Sequence, residues 1–182
     1  MHASIPSYLK LLKLIVLLSL LIGSVALAVV MTYSIVVALQ SGGTHLPLIL
    51  MSDALRFQLD LEAVSWMVFV GYYLLFLAIG LSALFFLFCL YRTLALVKAN
   101  ARFVADLSPL VRDMGFAILV IAYLKQGLWF LAVEQLPVAY TPLVSFSFQL
   151  IPEQAIYAVL LLVLSRLFRY AQLLQDEQDL TV

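Results

Sequence analysis

YRTLALVKANARFVADLSPLVRD, residues 91–113, is the one internal stretch that is both compatible with water and rich in basic residues. It carries Arg92, Lys98, Arg102 and Arg112, and long apolar runs flank it on both sides. Lys and Arg are retained on the cytoplasmic face of a membrane, so this stretch sets the direction in which the chain threads. The rest of the composition agrees. Of 182 residues, 65% are hydrophobic and only 11% charged, where a soluble domain is about half apolar and about a quarter charged. Too little polar surface remains to face water, and the class is an integral membrane protein.

Upstream of this stretch, residues 63–90 form an apolar span that runs on as helix towards Val97, with Trp66 suited to an interfacial anchor. Residues 14–39 carry no charge, and about 20 such residues cross a ~30 Å hydrocarbon core. Ala26-Leu27-Ala28 has the small-x-small form of a signal-peptide cleavage site, but the chain stays apolar well beyond it and reads as a retained helix. Gln40-Ser41-Gly42-Gly43 closes that helix. Downstream, a third span covers residues 114–133, with Ser108 expected as its cap and Pro109 at the first helical position. A fourth covers residues 153–170, Pro152 standing at its first turn and Arg166 and Arg169 snorkelling at its far end. A polar, acidic tail follows at 172–182.

Basic residues settle the expected orientation. Lys10, Lys13, Arg92, Lys98, Arg102, Arg112, Arg166 and Arg169 fall at the two ends and in the central stretch, whereas the two opposite loops hold only Arg56. The positive-inside rule then places both termini and the 91–113 loop in the cytoplasm. The expected fold is an all-α, four-helix transmembrane bundle forming a single domain over residues 1–182. Within the outer loops, LRFQLDL (55–61) and VSFSFQL (144–150) alternate apolar and polar residues without a break. Alternation marks a strand with one buried face. Two readings stand: the segments pair as a small outer sheet, or each is an irregular or interfacial segment.

Lys125 is the most pointed candidate. It lies ~12 Å of helix rise from Val133, the outer end of its span, and an ionisable group at that depth costs at least ~2.5 kcal/mol on insertion scales. Glu134 is nine residues on, which puts it on the opposite face of the same helix. Matching depth instead groups Lys125 and Gln126 with Tyr33, Tyr72, Tyr73 and Glu153, and with Thr32, Ser34 and Tyr157 beside them. This polar cluster is expected to hold water or a small ligand, or else to fix helix register, with Lys125 snorkelling or held by a neighbouring helix as the plain structural alternative.

Little else suggests chemistry. There is no Gly-rich phosphate loop and no nucleophile beside a base, so no catalytic residue, enzyme activity or direct nucleic-acid contact is expected. His2 and His45 are isolated and Cys89 is the lone cysteine, which gives no metal site, no cofactor and no intramolecular disulfide. Ser19-x-x-x-Gly23 and Ala78-x-x-x-Ser82 permit close helix approach, within the chain or between copies. The sizeable polar surfaces expected inside the cell lie at 98–113 and 166–182, where Lys98, Asn100, Arg102, Phe103, Arg112, Arg169, Asp176, Glu177 and Asp179 are candidate docking residues.

Two stretches carry a resemblance. KANARF (98–103) followed by LVRDMG (110–115), and the ending LFRYAQLLQDEQDLTV (167–182), resemble the bacterial membrane protein family DUF2975, a domain of unknown function. In that family an Asn and a Phe precede a Leu-Arg pair and a Gly opening the third helix, and a basic helix end leads to an acidic run finishing near Asp-Leu-Thr-Val. The chain departs from that pattern at Tyr170-Ala171, where a base and a glycine are usual, at Gln178 in place of Asn, and at Arg112, offset from its Leu by Val111. The resemblance implies a multi-pass protein of the bacterial cytoplasmic membrane. Members are often encoded beside a small helix-turn-helix repressor of the Cro type, which implies sequestration or regulation of such a protein. The competing expectation is a small transporter or immunity-type protein working through the Lys125 cluster.

Overall fold

In the computed structural model, the described residues are 7–40, 46–49, 58–61, 66–96, 103–134 and 148–179. They form helix α1 (Ser7–Gln40), strands β1 (Leu46–Ile49) and β2 (Gln58–Leu61), and helices α2 (Trp66–Leu96), α3 (Phe103–Glu134) and α4 (Glu153–Asp179). Each helix contains a stretch long and apolar enough to cross a bilayer: Tyr8–Val37, Trp66–Leu96, Leu107–Leu131 and Glu153–Leu174. The protein buries these stretches very unequally, 28% of the α3 window against 6% of the α1 window. On α1, Ile22, Val25 and Val29 are at least 60% exposed. An apolar helix that the protein itself does not cover must find its apolar surroundings elsewhere, and hydrocarbon supplies them.

The helices run further than their apolar cores require. Helix α1 starts at Ser7 and includes Lys10 and Lys13, while α4 continues through the tail to Asp179. Helix α3 begins at Phe103 rather than at the expected Pro109, which it carries inside it. The expected capping by Ser108 with Pro109 at the first position is therefore corrected. Proline there leaves the Ala105 carbonyl without its usual donor four residues on, a loss that membrane helices tolerate. The 91–113 stretch is thus helical at both ends, with only residues 97–102 lying outside the described residues.

The expected pairing of 55–61 with 144–150 falls largely on residues outside those described. Strand β2 takes residues 58–61 of the alternating run, but its partner is β1, antiparallel, with Leu46 opposite Leu61 and Leu48 opposite Leu59. A two-stranded ribbon has only edges, so Pro47 in β1 costs no interior ladder bond. Residues 148–150 form no strand, and 144–147 lie outside the described residues. A nearby hairpin closes a shorter loop than a partner more than eighty residues away, at lower entropic cost.

The chain divides into two compact units. The first takes Met1–Ser24, Ser82–Ile121 and Ile151–Val182. Its core gathers Cys89 of α2 with Leu107, Val111 and Met114 of α3, and Leu161 and Phe168 of α4 pack against them. Positions 107, 111 and 114 recur at helical spacing and form one stripe. Along α4, Ala155 and Ala158 are buried to 3% and 0% exposure. Opposite them stands Gly115, where an added Cβ would come within 3.1 Å of the Ala158 carbonyl oxygen and of the Leu162 side chain. Small residues let these two helix backbones approach closely, the usual device where lipid offers no hydrophobic drive for association. Gly23 likewise faces Leu84, so this small residue of α1 serves contact within the chain.

The second unit takes Val25–Leu81 and Ala122–Leu150. Its core is aromatic: Phe69, Tyr72, Tyr73 and Phe76 of α2 with Leu128 of α3, against which Leu27, Val30 and Met31 of α1 pack. Phe69 lies 5.4 Å from Trp66 and 4.6 Å from Tyr73 between ring centroids. These three- and four-residue separations put the rings in contact along one helix face.

Candidate functional site

Of the residues expected to cluster around Lys125, Tyr72 and Tyr73 lie together in the second unit's core, ring centroids 5.5 Å apart and edge to face. Ser34 joins them at 1% exposure. Its hydroxyl donates to the Val30 carbonyl at 2.8 Å, and it is also hydrogen-bonded to Tyr73. The Tyr72 hydroxyl is buried and has no hydrogen-bond partner among the described residues. Gln126 turns to different work. Its amide nitrogen donates to the Gln149 carbonyl and its oxygen accepts from the Gln149 N–H, both at 3.0 Å. Tyr123, one turn earlier on the same face, donates to the Leu150 carbonyl at 3.0 Å. Together they clamp the segment leading into α4, whose non-helical backbone needs partners outside any helix for its polar groups.

Lys125 is half-buried and not free. Tyr33 is 52% exposed and Tyr157 63%. Glu153 is an exposed residue in the first turn of α4, where its charge suits the helix dipole, and it belongs to the first unit. The sequence singled out Gln126 by depth; what missed Tyr123 and Gln149 is that a backbone acceptor on a loop leaves no mark in side-chain composition.

The first unit holds the other polar constellation. Ser108 of α3 donates to the Ser165 carbonyl at 3.0 Å, and Ser165 of α4 donates to the Ser108 carbonyl at 2.9 Å. Both side chains are buried. This reciprocal pair fastens the two helices where a hydroxyl has few alternatives to a backbone oxygen. Beside it opens a cleft of about 270 Å³ whose walls include Arg112 from α3 and Arg166, Arg169 and Gln172 from α4. Arg112 Nε and Nη2 both reach one Asp113 carboxylate oxygen at 3.1 Å. Arg112 and Arg169, expected as separate docking residues, thus share one hollow, and Arg166 joins them.

Of the remaining docking candidates, Lys98, Asn100 and Arg102 lie outside the described residues. Phe103 begins α3, and Asp176, Glu177 and Asp179 stand on the last turns of α4, with Glu177 exposed.

The family model described as "Protein of unknown function (DUF2975)" matches residues 58–182, which hold α2, α3, α4, the serine pair with its arginine cleft, and Tyr72, Tyr73, Tyr123 and Gln126 but not Ser34. The chain belongs to the DUF2975 family. As a DUF2975 member it has four helices of membrane-spanning length and composition, and the matched region begins at β2, after α1 and β1. No curated protein and no solved structure matches the chain.

Proposed function

We propose that this DUF2975 member is a non-enzymatic protein of the bacterial cytoplasmic membrane, both termini inside the cell, that holds a small helix-turn-helix regulator at the membrane. The observation that carries this reading is the course of α4. Its membrane-length stretch ends at Leu174, yet the helix continues to Asp179. Five more residues extend it by about 7.5 Å, a helical tip whose sequence holds Asp176, Glu177 and Asp179. A DNA-binding partner carries a basic face to neutralise phosphates, and an acidic helical tip competes for that face by the same electrostatics. Binding there keeps the regulator from DNA.

The test is co-purification of the full chain from membranes with a small helix-turn-helix protein of the Cro type, the kind often encoded beside family members. Asp176→Asn, Glu177→Gln and Asp179→Asn together are expected to abolish capture, and Lys125→Leu to leave it intact. Capture that survives the triple change refutes the docking reading. A second reading, a small transporter using the second unit, draws support from the buried Tyr72 hydroxyl without a partner; it requires the opposite pattern, with Lys125→Leu deleterious to function and the tip dispensable.

A further inference from the structure

The arginine cleft of the first unit has chemistry that the regulator reading does not use. Arg166 and Arg169 are three residues apart on α4, hence about 60° apart around its axis, and Arg112 faces the same hollow from α3. Arginines that merely mark the cytoplasmic end of a helix have no reason to converge. Here the three line one cleft with Gln172, and of these three arginines it is Arg112 that pairs with a carboxylate among the described residues, that of Asp113. The two serines at the edge of the hollow have committed their protons to each other's carbonyls. Free donor capacity in the cleft therefore belongs to the guanidinium groups and the Gln172 amide, an arrangement matched to a tetrahedral oxyanion.

The surroundings select the kind of anion. All three arginines fall within stretches of membrane-spanning character, Leu107–Leu131 and Glu153–Leu174. On α4 they are interleaved with Leu167, Tyr170, Leu173 and Leu174, which are 51% to 66% exposed. An apolar rim around a cationic cleft suits a molecule that is itself half hydrocarbon, with its phosphate in the hollow and its chains along α4. At about 270 Å³ the cleft is smaller than the ~300–1,000 Å³ pockets that engulf drug-sized ligands, so it takes a headgroup rather than a whole lipid. Basic pockets between membrane helices bind anionic headgroups in this manner.

We infer that the cleft formed by Ser108, Arg112, Ser165, Arg166, Arg169 and Gln172 is a binding site for the phosphodiester of an anionic phospholipid. It is independent of whatever the acidic tip of α4 holds. The test is native mass spectrometry of the full chain in detergent micelles, titrated with dioleoyl phosphatidylglycerol or with the zwitterionic dioleoyl phosphatidylcholine. Phosphatidylglycerol adducts are expected to dominate. The pair Arg166→Gln with Arg169→Gln should weaken them about tenfold or more, the loss of about one charge-assisted contact. Arg166→Lys with Arg169→Lys keeps the charge that governs threading and removes the two-pronged geometry, so a smaller loss is expected. Arg92→Gln, an arginine over the Phe88 ring outside the cleft, should change nothing. Equal binding by the Gln pair and the unaltered chain, or a loss of the same size in Arg92→Gln, overturns the assignment. Displacement of phosphatidylglycerol by millimolar inorganic phosphate also overturns it, in favour of a free-anion site. Protection of buried Cys89 from a thiol-reactive dye confirms that each variant is folded.

Discussion

Replacing Gly115 by alanine tests the closest helix contact in the first unit, and Gly127→Ala on the same helix is its control. At 115 the new Cβ would sit 3.1 Å from the Ala158 carbonyl oxygen and 3.1 Å from Leu162 Cγ and Cδ2. A backbone oxygen cannot swing aside as a side-chain tip can, so α4 must move. At 127 the nearest atom is Leu75 Cδ1 at 3.7 Å, an ordinary contact. Both changes gain the same helix propensity, about 1 kcal/mol, and this cancels between them. What remains is the overpacking at 115, about 1–3 kcal/mol. For a chain of this size that corresponds to a melting-temperature difference of about 2 to 12 °C between the variants. Cys89 supplies the assay: it is the sole cysteine, 2% exposed, in the core shared by α2 and α3. A dye that fluoresces on reaction with thiols reports its unmasking as purified protein is heated in detergent. Gly127→Ala should melt at or above the unaltered protein and Gly115→Ala below Gly127→Ala. If Gly115→Ala gains as much as Gly127→Ala, α3 and α4 are not packed backbone to backbone.

The remaining expectations use the same melt or a topology reporter. Ser108→Ala and Ser165→Ala each remove one hydroxyl-to-carbonyl bond and leave the other, so each should cost about 0.6–1 kcal/mol. The double variant should be close to their sum; strong coupling would mean that the two bonds form only together. Tyr72→Phe deletes a buried hydroxyl that has no partner and should leave stability unchanged or raised by up to about 1–3 kcal/mol, whereas Tyr73→Phe loses the bond to Ser34 and should lower it. A marked loss in Tyr72→Phe would reveal a bound molecule at that hydroxyl. Alkylation of single reporter cysteines placed at residues 45 and 105 in a Cys89→Ser background should occur from opposite sides of the membrane; labelling from one side refutes the proposed threading.

Spans and their approximate limits were legible along the chain because each is a local property. A run of apolar residues about 20 long has one way to satisfy its backbone in hydrocarbon, by helix, and it needs no neighbour to do so. Helix α1 accordingly contains the expected run 14–39 and α2 covers 66–90 of the expected 63–90, and the family resemblance at 98–115 and 167–182 agrees with the matched region 58–182. Azimuth and partnership were not legible. Ser108 beside Pro109 has the local chemistry of a helix start, yet Ser108 is inside α3 and its hydroxyl bonds to the Ser165 carbonyl across the interface. The run 55–61 has the alternation of a strand, but only chain geometry could show that its residues 58–61 pair with β1. Arg112, Arg166 and Arg169 look like three independent markers of orientation in the sequence. They become one cleft because Gly115 lets α3 lie against Ala158, and the rotation and register of two packed helices follow from the shapes of both, which neither segment carries alone.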